Sequence, residues 1–226
     1  MGPGGSHELP PAVIEVLREG NAAEKALDSS VVHPAFNFVD DKARRTSETV
    51  LVGNNRAAVL AAAEEAEKLG YSPVILGTRF DGEASSVGGS LIAIAEHLCK
   101  RDTMYPIAAT PAALISGGET IVSLPPNCEG RGGRNQELAL AAALKMNEMD
   151  LDGCCLASIG TDGTDGPTDA AGAIVDSKTV DDVSLNSALK ALSDHDSYNF
   201  LKERGCLVKT GPTGTNVADV CITLIR

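Results

Sequence analysis

Tryptophan is absent from this 226-residue chain, and aromatic residues make up only 3% of it. The core must then come from aliphatic side chains and alanine, a composition that suits helices packed closely on a sheet. No apolar run approaches the roughly 20 residues that span a bilayer, and no signal-peptide pattern is seen, so no membrane association is expected. The 6 cysteines (Cys99, Cys128, Cys154, Cys155, Cys206 and Cys221) form no CxxC pair and show no metal-like spacing. Free thiols in a reducing compartment are the economical reading, with the cytoplasm expected and a mitochondrion as the alternative. Positive charge is short as well: 19 Lys and Arg face 31 Asp and Glu, for a net charge of -12. That sign opposes sequence-independent binding of nucleic acid, which needs a basic surface. It leaves room for a phosphorylated ligand, because a pocket can be locally positive on an acidic protein.

Three catalytic signatures are missing too. There is no Gly-x-Gly-x-x-Gly dinucleotide fingerprint and no Walker loop, and no Gly-x-Ser-x-Gly elbow marks a serine hydrolase. His33 and His97 have no sequence neighbours that point to catalysis. His195 lies between Asp194 and Asp196 just before an expected helix, where a surface or capping role is the expectation over that of a general base.

What is present has an α/β pattern. Residues 1–7 read as a cloning remnant. A short helix is expected over 11–19, and 21–48 is polar and irregular. Regular alternation follows: a strand over 49–53, a helix over 55–69 capped by Asn54, a strand over 72–77 and a helix over 83–100. Strand–helix–strand–helix at this spacing predicts a crossover onto a parallel sheet. Beyond a break at Tyr105-Pro106, strands are expected at 112–115, 120–124, 154–159 and 220–225. Helices are expected over 135–149, 177–192 and 197–204. The fold class predicted is α/β, a parallel or mixed sheet with flanking helices, in which a Rossmann-like remnant precedes a second α/β domain.

Four glycine-rich polar loops each follow a strand-like run. In open α/β sheets ligands sit outside the carboxyl ends of strands, so such loops tend to share one site. Glycines let backbone N–H groups approach an anion, and helix N-termini add partial positive charge. In Arg131-Gly132-Gly133-Arg134-Asn135-Gln136-Glu137, two arginines flank two glycines where a helix begins. A phosphate or carboxylate there gains bidentate hydrogen bonds and the helix dipole, and Arg134 is the better phosphoryl clamp because it stands at the helix start. The plainer alternative is an exposed basic loop with Glu137 closing a cap. In Thr161-Asp162-Gly163-Thr164-Asp165-Gly166-Pro167-Thr168-Asp169 three carboxylates crowd together. Magnesium held by Asp162 and Asp165 with substrate phosphates would relieve their repulsion, and a solvated turn with capping carboxylates is the alternative. Ser116-Gly117-Gly118-Glu119 and Thr213-Gly214-Thr215-Asn216 are candidate phosphate nests or tight turns. Residue chemistry by itself stops at a site for a small anion.

These same loops resemble, in order, the motifs of the MOFRL domain, which forms the C-terminal part of glycerate 2-kinases. The likeness runs from Ala112 to Arg226, and Leu51-Val-Gly-Asn-Asn-Arg-Ala57 looks like the end of that family's N-terminal domain. The resemblance implies a domain division with 8–104 as the tail of the N-terminal domain and 105–226 as MOFRL-like. It implies ATP-dependent phosphorylation of D-glycerate to 2-phosphoglycerate with magnesium, and it puts Arg134 in the active site. The substrate and nucleotide contacts it implies are Gly117, Gly118, Glu119, Arg131, Gly132, Gly133, Asn135, Thr161, Asp162, Gly163, Thr213, Gly214, Thr215 and Asn216. Family members carry a further N-terminal half, so this polypeptide is expected to hold half of an interdomain site and not to turn over glycerate by itself. A hydroxypyruvate-reducing enzyme and a non-catalytic domain binding a phosphorylated metabolite are the alternatives.

Overall fold

The computed structural model describes residues 52–99 and 106–226. The helix expected over 11–19, the stretch 21–48, most of the strand at 49–53 and the division between 104 and 105 lie outside the described residues.

Helix α1 (Asn55–Lys68) starts at Asn54, whose side-chain oxygen accepts the Ala57 N–H at 2.8 Å. It ends where Gly70 takes a φ of 86°, a conformation that only glycine adopts cheaply. Strand β1 (Ser72–Phe80) and helix α2 (Ala84–Cys99) lead to strand β2 (Ala112–Gly118), which pairs with β1 in parallel. A parallel pair joined through α2 is therefore present, while the crossover expected from the strand at 49–53 lies largely outside the described residues. Next come helix α3 (Arg134–Glu148), strand β3 (Cys154–Gly160), strand β4 (Gly172–Asp176) and helix α4 (Leu185–Ser193). Helix α5 (Ser197–Glu203), the two-residue strand β5 (Leu207–Val208) and strand β6 (Asp219–Ile225) complete the chain.

Three expectations need correction. The strand at 120–124 does not form, and the segment keeps a single bridge from Ile121 to Glu83. Ile121 and Leu124 stay 55% and 60% exposed, and the following prolines cannot supply ladder N–H groups. The helix expected from 177 begins only at Leu185. Upstream, polar side chains capture the backbone: Asp176 accepts the Lys178 N–H at 3.0 Å, and Asp181 accepts the Ser184 N–H at 2.8 Å and its hydroxyl at 2.7 Å. Such local bonds compete with the helical ladder. Strand β4 was not foreseen, because five residues are too few to show a period.

The six strands form one sheet in the order β1-β2-β6-β3-β4-β5. Strand β6 runs antiparallel between β2 and β3, and its first residue faces the last residue of each: Asp219 pairs with Gly118 and with Gly160. That register brings the exits of two strands and the entry of a third to one point.

One face of the sheet carries α2 and α3. Leu91, Ile92, Leu138, Leu140 and Met146 pack there with Leu114 and Leu156. Each such side chain contributes roughly 1.5–3 kcal/mol by leaving water. Small residues bring the two helices close, and a Cβ at Gly88 would strike the Leu138 carbonyl. On the other face α1 sets Val59, Ala63 and Ala66 on Ala113 and Ile115.

Candidate active site

At the shared exits of β2 and β3 the four glycine-rich loops interlock. Thr161 Oγ1 donates to the Ala218 carbonyl at 2.7 Å and accepts the Val217 N–H at 2.9 Å, while the Thr213 N–H donates to the Asp162 carbonyl at 3.2 Å. Gly166 has a φ of 59° and lies so close to the Gly132 carbonyl that a Cβ would collide with it. Glu119, just past β2, meets Arg134 at 3.1 Å. Loops 116–120, 130–136, 160–169 and 210–216 are thus brought to one end of the sheet. Asn55 ties α1 to the same place, donating to the Val217 and Asp219 carbonyls at 2.9 and 2.8 Å.

The first turn of α3 is the centre of this cluster. Gly133 occupies the N-cap position and has no side chain to cap with. Asp165 serves instead, from 30 residues downstream. Its Oδ1 accepts the Asn135 N–H at 3.0 Å, and its Oδ2 accepts the Gln136 N–H at 2.9 Å and the Gln136 amide at 2.8 Å. Burial pushes the Asp165 carboxyl above the usual range, and these donors pull it back. Asn135 Oδ1 accepts the Ser158 hydroxyl at 2.7 Å. Ser158 and Ser116 in turn meet the Cys221 thiol, which burial pushes up to about 12 and so keeps neutral. The network runs from the loop into the middle of the sheet.

Arg134 holds Asp219 with two prongs, Nε to Oδ2 at 2.6 Å and Nη2 to Oδ1 at 3.0 Å, and presents Nη1 to Glu119. The Asp219 hydrogen bond raises the guanidinium further above its ordinary value. Sequence reasoning missed Asp219, whose only signal was a carboxylate opening an apolar strand.

A cavity of about 570 Å³ opens beside Arg134. Ile121, Val122 and Leu124 line it together with Glu119, Arg134, Glu137, His195 and the backbone of the glycine loops. Its size falls within the range of small-molecule sites. His195 Nδ1 lies 2.9 Å from Glu137 Oε2, with only 19% of the His side chain and 5% of the Glu side chain exposed. The surface or capping role expected for His195 is therefore corrected: its partner is a carboxylate 58 residues away, neither Asp194 nor Asp196. Burial raises the Glu137 carboxyl above its ordinary value, against the opposing hydrogen bond to His195.

The remaining candidates have other surroundings. Arg131 stacks on the Tyr198 ring at 4.4 Å and does not line the cavity. Asp169 accepts from Tyr198 and Lys209, both at 2.8 Å, and the Lys209 bond above all holds its carboxyl below the usual range. Gly117 and Gly118 sit where Asn55 and Phe80 leave no room for a Cβ. Thr213 donates to the Thr161 carbonyl at 2.5 Å, and Asn216 accepts the Ala218 N–H at 3.1 Å. Gly163 takes a φ of 87° against the Gly211 carbonyl, while Gly214 and Thr215 lie exposed.

The fit to magnesium is uneven. Both Asp165 oxygens are consumed by the helix start, so Asp165 does not fit as a metal ligand. Asp162 gives Oδ1 to the Thr164 N–H at 2.9 Å, and its other oxygen has no partner among the described residues. Among those residues no group of three or more His, Cys, Asp and Glu side chains is placed to hold a metal. Asp162 fits only as a lone carboxylate completed by substrate phosphates, which magnesium accepts.

The domain is thus a mixed α/β sheet whose loops meet at a helix start, with an arginine anchored beside a cavity. Residues 112–219 match the MOFRL family. The chain is 40% identical over 218 residues to the D-glycerate 2-kinase of Thermotoga maritima, covering 88% of this chain and 51% of that protein. It is 38% identical over 177 residues to the glycerate 2-kinase of Pyrococcus horikoshii, covering 77% of this chain and 39% of that protein. The crystal structure of the Thermotoga maritima glycerate kinase superposes with a TM-score of 0.72 at 44% identity, over 79% of this chain and 42% of that one. The chain thus spans about half the length of the curated relatives it matches.

Proposed function

We propose that this chain forms the C-terminal part of an ATP-dependent glycerate kinase, which transfers a phosphoryl group to D-glycerate to make 2-phosphoglycerate. The observation that carries the reading is Arg134, anchored through Asp219 at the start of α3 and facing a cavity large enough for a triose acid. Phosphoryl transfer needs positioning and charge neutralisation more than a covalent nucleophile, and an arginine fork supplies both. The two carboxylates on Arg134 then have different tasks. Asp219 is buried and bidentate and holds the guanidinium in place. Glu119 is 62% exposed at the side chain, and a substrate carboxylate or phosphate takes its place on Nη1.

Magnesium would supply charge neutralisation on the ATP phosphates, and Asp162 would hold it through the oxygen that has no partner among the described residues. The Gly132-Gly133 backbone lines the cavity next to the start of α3, as an anion cradle requires. The activity is proposed for a polypeptide of the relatives' full length, with an N-terminal half completing the site. The 226-residue chain by itself is expected to bind 2-phosphoglycerate without turning over glycerate. Addition of ATP, magnesium and D-glycerate to the longer polypeptide should release ADP without consuming NADH. Oxidation of NADH by hydroxypyruvate with no ADP formed would replace the kinase by an oxidoreductase. Calorimetric titration with 2-phosphoglycerate that shows binding but no turnover in either length would leave a non-catalytic binding domain.

A further inference from the structure

The cavity wall opposite the apolar segment 120–124 holds a pair that no anion clamp requires. Glu137 follows Arg134 by three residues on α3, so both project from the same face of the helix. Glu137 is almost fully buried, and a carboxylate in that position must be neutralised or hydrogen-bonded. Its partner is His195 Nδ1, at 2.9 Å. His195 reaches it from a turn with a φ of 55°, a left-handed conformation uncommon for a residue with a side chain. That turn is wedged against the glycine loop, where a Cβ at Gly130 would strike the Asp194 carbonyl. In the tautomer with the proton on Nδ1, that atom donates to Glu137 and Nε2 keeps its lone pair. Nε2 has no partner among the described residues, and the ring lines the cavity shared with Arg134.

A base oriented by a carboxylate, next to a cation that holds an anionic substrate, is the arrangement that proton abstraction needs. We propose that His195 is the general base of the transfer, its Nε2 taking the proton from the acceptor hydroxyl of a hydroxy acid held by Arg134, with Glu137 as the positioning residue. This rests on the kinase reading above. In the step the hydroxyl O–H bond breaks and its proton passes to Nε2. The oxygen forms a bond to the terminal phosphorus of the nucleoside triphosphate. The P–O bond to the leaving diphosphate breaks with its electron pair, and the imidazolium then releases its proton to solvent. The charged groups around the ring are Glu137, Arg134 and Glu119 about the cavity, Asp194 and Asp196 in its own turn, and Glu83 and Asp165 beyond Glu137.

The decisive variant is His195→Asn in the full-length polypeptide. Asparagine tolerates the left-handed backbone and can still donate to Glu137 from the Nδ1 position, while the Nε2 lone pair is gone. We expect kcat to fall about 10²–10⁴-fold, KM for D-glycerate to stay nearly constant, and the acid limb of the kcat profile to disappear. Glu137→Gln should cost a smaller factor, roughly 10–100-fold, as loss of an orienting partner does. On the 226-residue chain, long-range 1H–15N correlation of labelled histidine should show Nδ1 protonated and Nε2 bare, with Nε2 shifting when D-glycerate is added. If the wild type phosphorylates glycerate and folded His195→Asn keeps its rate and acid limb, the base assignment is overturned and the kinase reading stands. An Nε2-protonated ring overturns it as well, even if the variant fails to fold. A wild type that phosphorylates no glycerate removes the kinase reading and this proposal together.

Discussion

Past its first turn, α3 buries Leu138, Leu140, Ala142, Ala143 and Met146 against the sheet and α2, whereas the first turn buries Asn135, Gln136 and Glu137. The body of the helix is stabilised as any core helix is, by apolar area removed from water. The first turn gains little from burial, because each polar group must exchange water for a partner of equal quality. It finds most of those partners in Asp165, Ser158 and His195, all from later in the chain, while the buried Gln136 Oε1 has none among the described residues. A helix that departs from amphipathic order in a single turn, beside a cavity and an arginine, is what the proposed chemistry would require of that turn.

Four measurements break or sharpen this contrast. The largest effect is expected from Asp165→Ala, which leaves buried donors of Asn135 and Gln136 without acceptors; roughly 3–5 kcal/mol of stability should be lost in urea denaturation. A loss near zero would mean that the polar turn does not depend on its cap. Leu140→Ala, in the fully buried body, should cost about 3 kcal/mol while kcat per folded molecule of the full-length polypeptide is unchanged. In the full-length polypeptide Arg134→Ala should lower kcat about 100-fold or more, as removal of a preorganised charge contact does. A near-normal rate would take Arg134 out of the mechanism. The smallest effect concerns Asp181, far from the site, whose carboxyl is held down to about 2 from 3.8, chiefly by the Ser184 hydroxyl. A lowered value in the folded state contributes stability above about pH 4 that is lost as pH falls towards 2. Asp181→Asn should flatten the acid limb of the stability curve across that window by lowering stability at neutral pH, with little change near pH 2.

Much of the fold was legible wherever a signal is local. Asn54 before an alanine-rich run, Gly70 after it, and the period of Leu91, Ala95 and Leu98 placed α1 and α2 within a residue or two. Expectations failed where neighbours in space decide. Residues 120–124 have strand-like composition but find no partner strand. Residues 177–184 are diverted by Asp176 and Asp181, whose side chains reach the backbone before a helix can nucleate. In the candidate site, Arg134 was marked by its glycines, but its anchor Asp219 lies 85 residues away. Asp162, Asp165 and Asp169 looked alike in sequence, yet one closes its own turn, one caps a helix and one pairs with Lys209.

The order of residues by itself determined the kinds of element, the composition of the core and the loops where an anion meets glycine and arginine. Those features depend on backbone preference and on periods only a few residues long. Tertiary structure alone decided which carboxylate meets which cation and that His195 faces Glu137. The pairings of Lys209 with Asp169, His195 with Glu137 and Arg134 with Asp219 join residues 40–85 apart, and those that are buried gain strength only once the sheet has closed over them.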